Sequence, residues 1–121
     1  MSNSNVIKTI ESFLEQGRIF EAHNEARNAL TQSPESIRII QLYALSLARC
    51  GLSEQAYHVI EELYNRGNKD PETCGIFGRI NKDLWKQGGS LSHAVLSRDV
   101  YFECFNSTKD YYTGINAASM F

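Results

Sequence analysis

Proline is scarce in this chain, with only Pro34 and Pro71 among 121 residues. Little therefore forbids long helices, because proline is the residue that most strongly interrupts them. No stretch approaches the roughly 18 consecutive apolar residues of a membrane-crossing helix, so no membrane segment is expected. The opening MSNSNVIKTIESF lacks a basic leader followed by an apolar run, which is not the pattern of a signal peptide. Cysteines are few as well: Cys50, Cys74 and Cys104 are odd in number and widely spaced, with no CxxC pair. That pattern favours reduced thiols over a disulfide framework or a zinc site, and with them a cytoplasmic location. The net charge of −2 argues against a globally basic nucleic-acid binder, although it leaves local basic patches open.

Signatures of chemistry are also missing. There is no phosphate-cradling glycine loop, dinucleotide fingerprint or nucleophile elbow, so a non-enzymatic protein with no cofactor is expected. His23, His58 and His93 stand 35 positions apart, but they fall at different places in the helical register. Zinc ligands must converge on one point, so these histidines read as surface or boundary residues and no metal site is expected. Acidic pairs such as Glu61–Glu62 and Glu11–Glu15 read as solvated faces, since adjacent residues diverge on a helix.

Apolar residues at helical spacing are abundant, at 42% of the chain. Val6, Ile7, Ile10, Phe13 and Leu14 form one stripe on a first helix. Gly17 follows where a helix ends, and a second helix is predicted from about Ile19 to Gln32. Two more helices are predicted over 35–50 and 53–66, with Gly51 at the join. Ser33 is a candidate N-cap with Pro34 at the first helical position, and Asp70–Pro71 repeats that signal. A fifth helix carries Ile76, Phe77, Ile80, Leu84 and Trp85 and ends at QGGS. A sixth starts near Ser90 and holds Ala94, Val95, Tyr101 and Phe105, with NSTKD as its breaker. YYTGINAASMF begins a seventh, with Tyr111, Ile115, Ala118 and Met120 on one stripe.

The helices repeat. Stepping 34 positions takes Phe13 to Leu47, Gly17 to Gly51 and Ala22 to Ala56. Helix pairs of this kind bury their apolar faces only by stacking on one another. Glycine at the turn, then alanine, a further alanine and proline near the end of 34 residues resembles the tetratricopeptide repeat. The match is good in the first unit (Gly17, Ala22, Ala29, Pro34). It is fair in the second, where Leu63 replaces alanine. In the third, Ala94 fits after one inserted residue near Gly89. The resemblance implies an all-α fold: a single domain over 1–121, built as a short right-handed α-solenoid. Three helix pairs at about 3–34, 35–70 and 71–108 would be followed by an extra helix over 110–121. ETCGIFGRINKDLW (72–85) and DYYTGINAASM (110–120) are, in addition, similar to segments of the TRAF-binding domain of apoptosis signal-regulating kinases. That similarity implies a regulatory, protein-binding scaffold without kinase activity.

In the tetratricopeptide register the first helix of each pair lines a concave groove. Partner-binding residues expected there are Arg38, Gln41, Leu45 and Arg49, then Arg79, Lys82, Trp85 and Lys86, with Ile7, Lys8, Glu11 and Leu14 from the first unit. A basic groove with one tryptophan suits an acidic protein or peptide partner, although Asp83 beside Lys82 blunts the field. The positions that form a carboxylate clamp in some tetratricopeptide proteins hold Ile7, Glu11, Leu42, Gly75 and Arg79. Only Arg79 fits, so no such clamp is expected. An RNA-binding helical repeat is the alternative, with Arg38, Arg49, Arg79, Lys82 and Lys86 on phosphates and Trp85 stacking a base. The apolar final helix also suggests weak self-association through the C-terminal end.

Overall fold

A computed structural model describes residues 3–89 and 91–108, with side chains for all of these except 101 and 103–108. The predicted seventh helix, the 110–120 segment and the side chains of Tyr101, Cys104 and Phe105 lie outside the described residues. Within them the chain is all helical, as the periodicity predicts: α1 (Asn3–Glu15), α2 (Ile19–Gln32), α3 (Ile37–Arg49), α4 (Ser53–Asn65), α5 (Pro71–Lys86) and α6 (Leu91–Thr108). None of these helices is long and apolar enough to cross a membrane. The chain divides into two compact units, Met1–Val59 and Ile60–Phe121, with the division falling inside α4.

The 34-residue echo has a backbone cause. At the end of α1, Gly17 takes φ +75°, its N–H donates to the Leu14 carbonyl, and the Arg18 N–H donates to the Phe13 carbonyl at 2.8 Å. At the end of α3, Gly51 takes φ +85°, with the same pair of bonds to Ala48 and Leu47. This left-handed stop satisfies the last carbonyls of a helix, and a residue without Cβ adopts it at little cost. The α5 terminus repeats the arrangement one residue before an insertion. Gly89 donates to the Leu84 carbonyl at 2.9 Å, and a Cβ there would lie 2.5 Å from that oxygen. The stretch from this stop to the start of α6 at Leu91 is one residue longer than the corresponding stretches after Gly17 and Gly51.

Counted from helix starts, Ala22, Ala56 and Ala94 then coincide, and all three are buried. In the first unit Ile10, Leu14, Ala22, Ala26 and Leu42 form one core, with Val6, Ile7, Phe13, Ile19, Tyr43 and Leu45 packed around it. The alanines let α1 and α2 approach closely, and α3 packs on both. In the second unit α5 buries Cys74, Phe77, Ile80 and Leu84, while α6 buries Ala94, Ser97 and Val100.

One expected cap moves. Asp70 caps α5 as predicted: its carboxylate accepts from the Thr73 N–H at 3.1 Å and the Thr73 hydroxyl at 2.8 Å, with Pro71 opening the helix. The N-cap of α3, however, is Ser36 and not Ser33, and Pro34 lies in the turn before the helix. The Ser36 N–H donates to the Ser33 carbonyl, closing a turn that uses up Ser33–Pro34–Glu35 and delays the helix by one turn. Ser33 instead ends α2.

A second expectation fails at the cysteines. Cys50 is a free thiol, but Cys74, fully buried in the first turns of α5, is disulfide-bonded. Sequence spacing misled because a disulfide needs only two β-carbons within about 4 Å in space, and separation along the chain does not measure that distance.

Candidate functional site

The expected groove residues are shared between the two units, and each set has its own surroundings. In the first unit, Arg38 sits in the first turn of α3. Its guanidinium reaches across to α1, donating to Glu11 Oε2 at 2.7 Å and to Gln41 Oε1 at 3.2 Å. Both ends of the ion pair are little more than a third exposed. Gln41 is nearly buried. Arg49, at the other end of α3, donates from Nη1 to the Leu14 carbonyl at 3.2 Å. That oxygen belongs to the last turn of α1, where carbonyls lack helical partners. Leu45 packs against the core. The two arginines are therefore braces between α3 and α1, one at each end of the contact.

In the second unit, Arg79, Lys82 and Lys86 recur at three and four residues along α5, which aligns them on one stripe. Trp85 flanks it and is 38% exposed. The opposite face holds Phe77, Ile80 and Leu84 in the core, and that burial turns the cationic stripe outward. Arg79 lies 4.0 Å from Asp83 Oδ2, at the outer limit of an ion pair. Among the described residues no acid is bonded to Lys82 or Lys86. Asp83 thus tempers Arg79 and leaves the lysines alone.

Gly75 occupies the same stripe one turn before Arg79. A Cβ on it would meet nothing within 4 Å. Glycine within a helix costs about 0.5–1 kcal/mol relative to alanine, so the chain carries a penalty here that its own packing does not require. A bare helix backbone beside three cations leaves room for another chain to come close.

Sequence reasoning overlooked the polar layer that fixes this stripe. Asn81 is fully buried; its amide donates to the Phe77 carbonyl at 2.9 Å, and its Oδ1 meets His93 Nδ1 at 3.1 Å. With the amide nitrogen already donating, Oδ1 accepts, so Nδ1 carries the proton. Ser97 Oγ donates to the Gly78 carbonyl at 2.7 Å. The available signal was polar residues falling at core positions of the α5 and α6 periodicity. His93 is a boundary residue, as expected, and so is His23, stacked 5.4 Å from Tyr43. Among the described residues no three His, Cys, Asp or Glu side chains converge as a metal site would require.

No curated protein and no solved structure matches the chain. One family does, described as TPR-S, Tetratricopeptide Repeats-Sensor, over residues 18–121. That span takes in five of the six described helices, the glycine stops after α3 and α5 and the whole α5 stripe. The chain belongs to the TPR-S family of tetratricopeptide-like repeat proteins.

Proposed function

We propose that this protein is a non-catalytic protein–protein interaction module, an adaptor or scaffold that binds a peptide or helix of a partner. Tetratricopeptide-like repeats generally bind proteins, and the family description adds the word sensor. The observation that carries the reading is the α5 stripe, where Lys82 and Lys86 face outward without acidic partners beside exposed Trp85 and bare Gly75. Such a surface suits an acidic segment with one apolar anchor, combining charge-assisted hydrogen bonds with burial of an aromatic ring. Arg79 contributes once a partner carboxylate displaces the distant Asp83. Arg38, Gln41, Leu45 and Arg49 stay in the proposal as a surface of the first unit by itself, in a supporting role, because the arginines hold α1 to α3. Regulation of a larger signalling protein, as the similarity to TRAF-binding segments implies, is the setting we favour.

A cytoplasmic location is part of the reading. The Cys74 disulfide weighs against it, since structural disulfides persist mainly in oxidising compartments. Cell fractionation with antibody detection tests that point.

The test of function is fluorescence anisotropy on the full chain. The probes are a labelled dodecapeptide of alternating Glu and Leu, the same peptide with Lys for Glu, and a single-stranded oligouridylate. Saturable binding of the acidic peptide alone, lost in Lys82→Glu/Lys86→Glu with unchanged melting, supports the proposal. Preferential binding of the oligonucleotide with a steep salt dependence replaces it with the RNA reading. No binding of the acidic peptide, or binding indifferent to the charge reversal, overturns it.

A further inference from the structure

α5 carries two glycines within its helical span, Gly75 and Gly78, and the chain shows what one of them is for. Gly78 is buried against α6, whose fully buried Ser97 donates from Oγ to the Gly78 carbonyl at 2.7 Å. A missing side chain thus lets a second helix set a small hydroxyl residue on the α5 backbone. Gly75 lies roughly 60° round the helix from Gly78, at about 100° per residue. A Cβ there would meet nothing within 4 Å. Neither a left-handed φ nor a neighbour among the described residues accounts for glycine at this position.

Gly75 opens a straight row. Arg79, Lys82 and Lys86 follow it at four, three and four positions, within roughly 60° of one another on the face away from the core. Their spacing selects the form of chain that can match them. Along the axis the three cations stand at steps of about 4.5 and 6 Å. A second helix reproduces those steps with carboxylates three and four residues apart. An extended strand offers same-side residues only every ~6.6 Å, so its third carboxylate overshoots Lys86 by about 3 Å. A polyproline helix, at about 9 Å per turn, misses sooner.

Resting on α5 as the partner-binding surface proposed above, we infer that the partner segment is an acidic α-helix laid along this row. A small residue such as serine seats against Gly75, as Ser97 does on Gly78, and carboxylates meet Arg79, Lys82 and Lys86. Trp85 lies within roughly 20° of Gly78 around the helix and is 38% exposed. It therefore forms the rim between the row and α6, where an apolar residue of the partner helix covers it.

Fluorescence anisotropy on the full chain tests this with three labelled peptides. The first is a sixteen-residue alanine-based helix with Glu at its third, seventh and tenth positions and Ser at its fourteenth. The second carries proline at the eighth position, which breaks the helix and leaves the acids in place. The third is the alternating Glu–Leu dodecapeptide. The first peptide binds at least about tenfold tighter than its proline form and gains helical far-UV circular dichroism on mixing. Gly75→Leu weakens it by at least about tenfold with no loss of melting temperature. Equal binding of the first two peptides, both lost in Lys82→Glu/Lys86→Glu, overturns the helical partner and leaves the acidic-segment reading of α5 intact. Binding of the dodecapeptide alone does the same. Helix binding indifferent to Gly75→Leu also overturns the inference, because the helix then lies off the row. No binding by any of the three overturns the reading of α5 itself, and the helical partner with it.

Discussion

The two units hold their helices together by different means. In the first, α1 and α2 meet through alanines and aliphatic side chains, and α3 is tied to α1 by arginines at the edges of the contact. In the second, α5 and α6 are joined from inside by Asn81 with His93 and by Ser97 with the Gly78 carbonyl, and the buried Cys74 of α5 is disulfide-bonded. The difference decides which cations are available. Where arginines serve as braces, a partner must first displace an internal acid. Where the interior supplies the cohesion, Lys82 and Lys86 are left to the surface. Two arginines of the predicted binding set therefore have a structural task, and the α5 lysines do not.

The strongest challenge to this comparison is reduction of the second unit. Removing a native disulfide from a small domain costs about 2–5 kcal/mol. Thermal unfolding of the full chain in excess dithiothreitol should therefore show a lower melting transition for residues 60–108 and an unchanged one for the first unit, resolved by hydrogen exchange. Equal melting with and without reductant would remove the bond from the account of cohesion. Next in size is Asn81→Ala, expected to destabilise by about 1–3 kcal/mol, because it removes a buried amide and leaves the His93 Nδ1 proton without its acceptor. Urea denaturation measures it, and a change under about 0.5 kcal/mol would make the polar layer incidental.

How much of this was legible beforehand follows the physics of each feature. Helix order and the ends of α1, α3 and α5 could be read from the sequence because apolar period and left-handed glycine stops are local signals. The cap of α3 could not, since SPES offers two serines three residues apart and a turn bond, invisible in the sequence, chooses between them. The Cys74 disulfide escaped because spacing along the chain does not measure distance in space. Arg38 and Arg49 were expected to line a partner-binding groove, and both bond to α1. Whether an arginine there meets a partner or Glu11 depends on a neighbour 27 positions away, which periodicity on α3 alone does not reveal.

The α5 stripe makes a smaller and opposite prediction. Gly75→Ala should raise stability by about 0.5–1 kcal/mol, since the added methyl meets open space and alanine loses less backbone freedom on folding. If a partner backbone lies close to that spot, the same variant, and Gly75→Leu more strongly, weakens binding of the acidic dodecapeptide while the fold is firmer. Stabilisation with unaltered affinity would move the contact away from Gly75 and toward Trp85.

Smallest of all is the effect expected at the brace. Half-exposed ion pairs contribute about 0.2–1 kcal/mol, so Glu11→Gln should barely move the urea midpoint. It does change the electrostatics, however: Arg38 loses the Glu11 carboxylate and keeps its hydrogen bond to Gln41 on α3. If the first unit supports binding as the comparison implies, Glu11→Gln tightens the acidic peptide severalfold, and Arg38→Ala cancels that gain in the double variant. The cycle isolates the coupling between the two side chains. Glu11→Gln without effect on affinity would confine recognition to α5 and leave the first unit as scaffold alone.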